Sequence, residues 1–409
     1  MVFIKNQISD LRNASMEDLS KKFSRCHDEI WEGGKKDPSI AFDEFIKILM
    51  IKIYDELFTK SGQEYKFQII KNETKSQIAK KIKEITKNVE IKFPIFKNKI
   101  KLSSNTVYEI IKQIQDISFV RTDLDVKGRA FENFLGKMFR DEYGQYFTPR
   151  PIVDFAVNFL DPKMGETIID PACGSGGFLV YSLKHISDKF PKEDGNNLSS
   201  KIKDFSRNYL YGVEINERIS KVALIDMILH NDGSSNIICS NSLEDYKKID
   251  KNGKITSKKF SILFTNPPFG SIIKDSKIIN NFQLGKNLDG ERSEVLFIER
   301  CLDLLKEQGK LGMVLPDSIL TNSSLQYVRD FILKNSEILG VVSLPQHTFV
   351  PSGAGVKSSL LFLKKSSAEN KNYKIFMSTA QHVGFDSTRR PDVDDLPEIL
   401  RDWECFNNT

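Results

Sequence analysis

Ile168-Ile169-Asp170-Pro171-Ala172-Cys173-Gly174-Ser175-Gly176-Gly177-Phe178-Leu179 is the stretch that decides the fold. An apolar strand ends at Asp170, a turn of small residues follows, and a helix begins near Gly177. Glycine in such a turn lets backbone approach a ligand closely and opens positive-φ conformations. In open α/β sheets, ligands sit beyond the carboxyl ends of strands, near the point where strand order reverses. A dinucleotide site would want G-x-G-x-x-G and a pyrophosphate on the helix N-terminus. Here an acidic residue and a proline open the turn, which favours a ligand with a cationic end. No G-x-x-x-x-G-K-[ST] occurs, so an ATP motor is not indicated. The plain alternative is a glycine turn used only for packing, and Cys173 within it reads as a small buried filler.

Outward from this turn, short β-rich runs alternate with helical ones. The expected strands are Thr167–Asp170, Tyr209–Val213, Asn236–Cys239, Phe260–Thr265, Lys310–Leu315, Leu339–Leu344 and Leu360–Leu363. Such alternation predicts an α/β fold with a doubly wound, mostly parallel sheet. The last two strands are joined by a Pro/Gly-rich loop (Pro345 to Gly355), which predicts an antiparallel hairpin at the sheet edge.

Two further strand ends carry chemistry. Tyr211-Gly212-Val213-Glu214 ends in a carboxylate, placed where an α/β nucleotide site holds ribose hydroxyls. Its distance from Asp170 is about twice the roughly 20 residues usual for such a pair. The polar stretch Ser187 to Arg207 reads as an inserted surface loop that absorbs the difference. The second run is Leu263-Phe264-Thr265-Asn266-Pro267-Pro268-Phe269-Gly270. Two prolines remove two amide donors and leave carbonyls as acceptors. Asn266 adds an amide oxygen and Phe269 a flat stacking face. A planar exocyclic amine held there would donate both hydrogens, leaving its nitrogen free to attack an electrophile.

The first 140 residues read as helices. Leu19, Phe23, Cys26 and Ile30 form one apolar stripe; Phe42, Phe45, Ile46, Leu49 and Ile53 form a second, behind an Asp37-Pro38 helix start; Val107, Ile110, Ile111, Ile114 and Ile117 form a third. These are core signals. Residues 71–101 carry ten lysines against Glu73, Glu84 and Glu90, either a solvated face or a phosphate-contacting one. The expected division is a helical domain over 1–140 and an α/β domain over 141–409.

Composition excludes more than it assigns. With 60 basic and 55 acidic residues, the net +5 is too small to identify a nucleic-acid binder. The five cysteines form no C-x-x-C pair, against a disulfide scaffold or zinc finger. The five histidines have no metal-site spacing, so no metal is expected. Asp123-Leu124-Asp125-Val126-Lys127-Gly128 mimics an EF-hand opening but puts Lys127 where a ligand should be. No apolar run approaches the roughly 18 residues of a spanning helix, and Met1 to Gln7 turns polar too early for a signal peptide. A cytoplasmic protein is expected.

Asp-Pro-Ala-Cys-Gly-Ser-Gly-Gly-Phe with Asn-Pro-Pro-Phe resembles the N6-adenine DNA methyltransferases, and within them the modification subunit of type I restriction–modification systems. Gly144-Gln145-Tyr146-Phe147-Thr148-Pro149-Arg150 ahead of the glycine turn is similar to the same family, as are Phe131 to Gly136, Lys310 to Pro316 and Gly355 to Phe362. The resemblance implies a Rossmann-like, S-adenosylmethionine-dependent methyltransferase sheet behind a helical domain. It implies that Gln145, Tyr146, Phe147, Thr148, Pro149 and Arg150, with Asp170, Ala172, Gly174, Ser175, Gly176 and Gly177, hold the methionine end of S-adenosyl-L-methionine. Glu214 would hold the ribose, and Asn266, Pro267, Pro268 and Phe269 the target adenine. Relatives often carry an acidic residue after the third strand; this chain has Asn241, whose amide oxygen could still take the cofactor's adenine amine. The implied partners are double-stranded DNA, a specificity subunit, a second modification subunit and a restriction subunit, with no membrane. A protein-glutamine or RNA methyltransferase, an N4-cytosine enzyme and a non-catalytic DNA-binding scaffold are the rival readings.

Overall fold

The computed structural model describes residues 11–31, 37–60, 62–97, 99–142, 148–189, 195–230, 236–350, 355–367, 372–388 and 390–408. They form two compact units, Met1–Gly144 with Leu229–Asn231, and Gln145–Ile228 with Asp232–Thr409.

The first unit is helical: Met16–Trp31, Pro38–Phe58, Lys75–Lys92, Ser104–Ile114 and Leu124–Glu142. Asp37 caps the second helix by accepting from the Ser39 N–H, with Pro38 at the first position. All three apolar stripes are buried, and Phe23 lies 5.7 Å from both Phe45 and Phe119 at their centre. The core also encloses charge. Lys52 is fully buried 3.1 Å from Glu56, whose carboxylate accepts from Ser118 Oγ, the Phe119 N–H and the Val120 N–H. Lys127 is buried and donates to the Val120 carbonyl at 2.9 Å, so the apparent calcium loop is the start of a helix. Lys75–Lys92 buries Ile78, Ile82, Ile85 and Val89 and leaves Lys80, Lys83 and Lys87 exposed.

The second unit is built on strands β1 (Ile168–Asp170), β2 (Leu210–Glu214), β3 (Asn236–Cys239), β4 (Phe260–Thr265), β5 (Ile272–Ile273), β6 (Glu291–Arg292), β7 (Leu305–Pro316), β8 (Ser336–Ser343), β9 (Ser358–Lys365) and β10 (Phe376–Thr379). β5 and β6 form a separate antiparallel pair. The other eight make one sheet in the order β3-β2-β1-β4-β7-β9-β8-β10. β9 runs antiparallel to both its neighbours, and the remaining pairs are parallel. Every residue of β4 is buried, as expected for a strand covered on both faces. Alternate residues serve opposite layers. Ile168, Ile262 and Phe264 pack with the helices Arg150–Leu160, Gly177–Asp188 and Leu396–Asn407, while Ile169 and Leu263 pack with Ser293–Leu304. In the first layer Phe159 stacks between Phe362 (3.7 Å) and Trp403 (4.0 Å).

Two expectations need amendment. The predicted hairpin exists as β8 and β9, but β9 inserts between β7 and β8, and β10 adds a further strand outside them. Ser187 to Arg207 is not all loop, because Gly195–Tyr209 is a helix. Its Ile202 and Phe205, three residues apart, are buried, and Phe205 stacks on Tyr209 at 5.4 Å. The lysines and acids around them occupy the solvent face and hide the periodicity. No helix among the described residues is long and apolar enough to cross a membrane.

Candidate functional site

After β1 the chain moves outward through β2 and β3, then returns to the other side of β1 as β4. That reversal opens a crevice at the carboxyl ends of β1 and β4. A cleft lies there, lined by Thr148, Arg150, Val153, Asp170, Ala172, Cys173, Gly174, Ser175, Gly177, Phe178 and Asn266.

The glycine turn is shaped from within. The Cys173 N–H donates to the Val213 carbonyl and the Gly176 N–H to the Cys173 carbonyl, closing the turn onto the end of β2. Gly174 and Gly176 take positive φ (52° and 89°), and the helix Gly177–Asp188 starts directly behind. A Cβ on Gly177 would lie 2.2 Å from Arg150 Nη1, so the glycine makes room for the guanidinium. Arg150 stands over the Tyr181 ring at 5.6 Å and lies 3.8 Å from the buried Asp226 carboxylate. Cys173 is buried, and burial lifts its thiol far above the ordinary range, as befits a packing residue.

Two carboxylates sit at neighbouring strand ends. Asp170 is 1% exposed and accepts from the Ala172 N–H at 3.0 Å. Burial pushes its carboxyl up to about 7; the Ala172 N–H and Thr265 oppose this, and the charge on Glu214 adds to it. Glu214 accepts from the Gly174 N–H at 3.1 Å through Oε2 and from the Asn216 N–H at 2.8 Å through Oε1. It too is raised, by burial. The Ile215 N–H also bonds this carboxylate, whose roughly four lone-pair sites still leave room for a ligand hydroxyl.

At the end of β4, Asn266 donates through Nδ2 to Thr148 Oγ1 at 2.9 Å. Its Oδ1 is buried and has no hydrogen-bond partner among the described residues. A buried acceptor left open costs free energy until a donor arrives. Pro267 is buried and Pro268 exposed, while Phe269 is half-buried against the first core layer.

Of the sequence-derived set, Thr148, Arg150, Asp170, Ala172, Gly174, Ser175, Gly177 and Asn266 line one cleft. Pro149 caps the helix Arg150–Leu160, and Gly176 caps the helix behind the turn. Gln145, Tyr146 and Phe147 lie outside the described residues. Asn241 is not among the lining residues, and its Oδ1 accepts from the Leu243 N–H at 3.0 Å. The sequence reading missed Tyr181 and Asp226 around Arg150, and Ser293 and Glu294 behind the proline turn. These residues sit inside helices, where only the three-dimensional neighbour reveals a role.

The glycine turn at β1 and the Asn-Pro-Pro-Phe turn at β4 thus face each other across the reversal point of one α/β sheet. Residues 122–401 match the N-6 DNA Methylase family, and the chain belongs to it. It is 28% identical over 265 residues to the type I restriction enzyme EcoEI methylase subunit of Escherichia coli, covering 63% of this chain and 50% of that one. To the EcoKI methylase subunit of Escherichia coli strain K12 it is 27% identical over 231 residues, covering 56% and 42%. The chain thus spans half or less of the length of these two relatives. Among solved structures, a type I restriction-modification system methyltransferase subunit from Streptococcus thermophilus shares the fold, at TM-score 0.67 and 16% identity, over 96% of this chain and 94% of that one.

Proposed function

We propose that this chain transfers a methyl group from S-adenosyl-L-methionine to N6 of an adenine in double-stranded DNA, as the modification subunit of a type I restriction–modification complex. The observation that carries the reading is the Asn266 amide, whose Nδ2 is tied to Thr148 while Oδ1 waits as a buried open acceptor. An exocyclic amine supplies the missing donor.

The cleft suits this cofactor. Within it Asp170 offers a carboxylate for an ammonium and Arg150 a cation for a carboxylate. Glu214 lies outside the cleft lining but accepts from the Gly174 N–H that lines it, which suits it to ribose hydroxyls at the cleft's edge. When bound, S-adenosylmethionine supplies an electrophilic methyl. Thr148 keeps Asn266 from swinging, so Oδ1 can hold one amine hydrogen, and a carbonyl of the Pro267 region the other. Phe269 stacks on the flipped base, whose extrusion costs a few kcal/mol. Catalysis is then mainly positioning, able to supply roughly 7–11 kcal/mol, and the proton leaves after the methyl arrives.

The α/β unit, from about residue 141, is the catalytic domain, and the helical unit serves assembly or DNA contact. Sequence reading of DNA belongs to a specificity subunit, with a second modification chain and a restriction subunit completing the assembly. Transfer of labelled methyl to DNA, with and without a specificity subunit, tests the reading. The expected product is N6-methyladenine; N4-methylcytosine, or label on protein or RNA alone, refutes it.

A further inference from the structure

We propose that Ser293 and Glu294 are positioning residues that aim the Phe269 ring, an inference that rests on the adenine-methylation reading above. The Asn266–Gly270 turn has little to hold it from within. Pro267 and Pro268 carry no N–H, and Gly270 takes φ +74°. Its fastening comes from the N-terminus of the helix Ser293–Leu304. Ser293 Oγ donates to the Pro268 carbonyl at 2.7 Å, the Gly270 N–H donates to Glu294 Oε2 at 3.1 Å, and the Ser293 N–H donates to the Ser271 carbonyl at 2.8 Å.

The first two bonds bracket Phe269. One fixes the peptide group before it, by its carbonyl; the other fixes the peptide group after it, by its N–H. A residue whose two flanking peptide planes are both held has little freedom in φ and ψ, so its ring direction is left to its side-chain torsions alone. The anchors are themselves rigid. Ser293 and Glu294 are buried, and Val295, Leu296, Ile298 and Cys301 of the same helix sit in the core beneath the sheet. β5 and β6 pair Ile272 with Arg292 and Ile273 with Glu291, bringing the chain back to the turn before the helix starts. Glu294 lies in the first helical turn, where open backbone N–H groups favour a negative charge. Neither residue lines the cleft, so neither is a catalytic residue.

The test uses the full chain, under conditions in which it transfers labelled methyl from S-adenosylmethionine to unmethylated plasmid DNA. Glu294→Ala should lower kcat about tenfold or more, since misplacement of roughly 1 Å costs rate in that range. KM for S-adenosylmethionine should stay within about twofold, because the cofactor cleft is untouched. Glu294→Gln keeps one acceptor oxygen and should recover most of the rate. In a Phe269→Ala background, adding Glu294→Ala should cost nothing further, since both changes act through one ring. Ser293→Ala removes a single donor and carries the same comparison should Glu294→Ala fail to fold. Unchanged kcat in both alanine variants, or losses that add to that of Phe269→Ala, overturns the positioning role alone. No adenine methylation by the unaltered chain overturns the parent reading, and this one with it.

Discussion

Cofactor binding should depend on pH through Asp170. Burial at the floor of the cleft pushes its carboxyl up to about 7, so near neutrality the free protein holds a proton there about half the time. The cationic end of S-adenosylmethionine needs the carboxylate. If only the ionised form binds, affinity falls about tenfold per pH unit below 7, reaching about 100-fold at pH 5, or about 2.7 kcal/mol. Calorimetry at pH 6, in buffers of different ionisation enthalpy, should count about 0.9 proton released per cofactor bound. Stability of the free protein carries the opposite sign. A carboxyl raised above its unfolded value of about 3.9 favours folding most at low pH, and that contribution is lost as pH climbs toward 7. The cofactor-induced rise in Tm should therefore grow from pH 5 to 7 while Asp170's share of free-protein stability shrinks. Asp170→Asn should flatten both trends and weaken binding. A constant Kd between pH 5 and 8, or equal proton release from Asp170→Asn, would refute the reasoning.

Asn266→Ala should abolish methyl transfer while calorimetric affinity for S-adenosylmethionine stays within about twofold, because Asn266 addresses the target and not the cofactor. Gly177→Ala puts a carbon 2.2 Å from Arg150 Nη1, so the guanidinium must leave its present position. Because the atom met is the tip of a flexible side chain, thermal stability should change by less than about 0.5 kcal/mol, while cofactor affinity should fall more than about tenfold. In the helical unit, Glu56→Ala strands the buried Lys52 ammonium and three donors, so denaturant melts should show a loss of about 3–5 kcal/mol.

Where an element's own residues dictate it, the sequence was legible. β3 and β4 begin and end at the expected residues, because turn formers punctuate continuous apolar runs there. The glycine turn and the Asn-Pro-Pro-Phe turn meet in space because both follow strands flanking the reversal point. What stayed hidden depends on partners far along the chain. β10 is only four residues and takes its place by pairing with β8. Among the described side chains of the helix Gly195–Tyr209, Ile202 and Phe205 are buried amid charges, too thin a stripe to outweigh their polar neighbours. The Thr148–Asn266 bond joins residues 118 positions apart and leaves no local trace. Asp226 reads as an ordinary helical acid until Arg150 is placed beside it.

The pairing of β1 with β2 matches Asp170 to Gly212, two residues before Glu214. The separation of the two carboxylates is therefore set by hydrogen bonds across neighbouring strands, not by how many residues the chain spends between them. A helix such as Gly195–Tyr209 can be added to that connection without moving either strand end. Fingerprints that count residues will misjudge such chains. A search that counts strand ends will find the same two acids at any loop length, and the connection becomes a place where the chain is free to gain new surface.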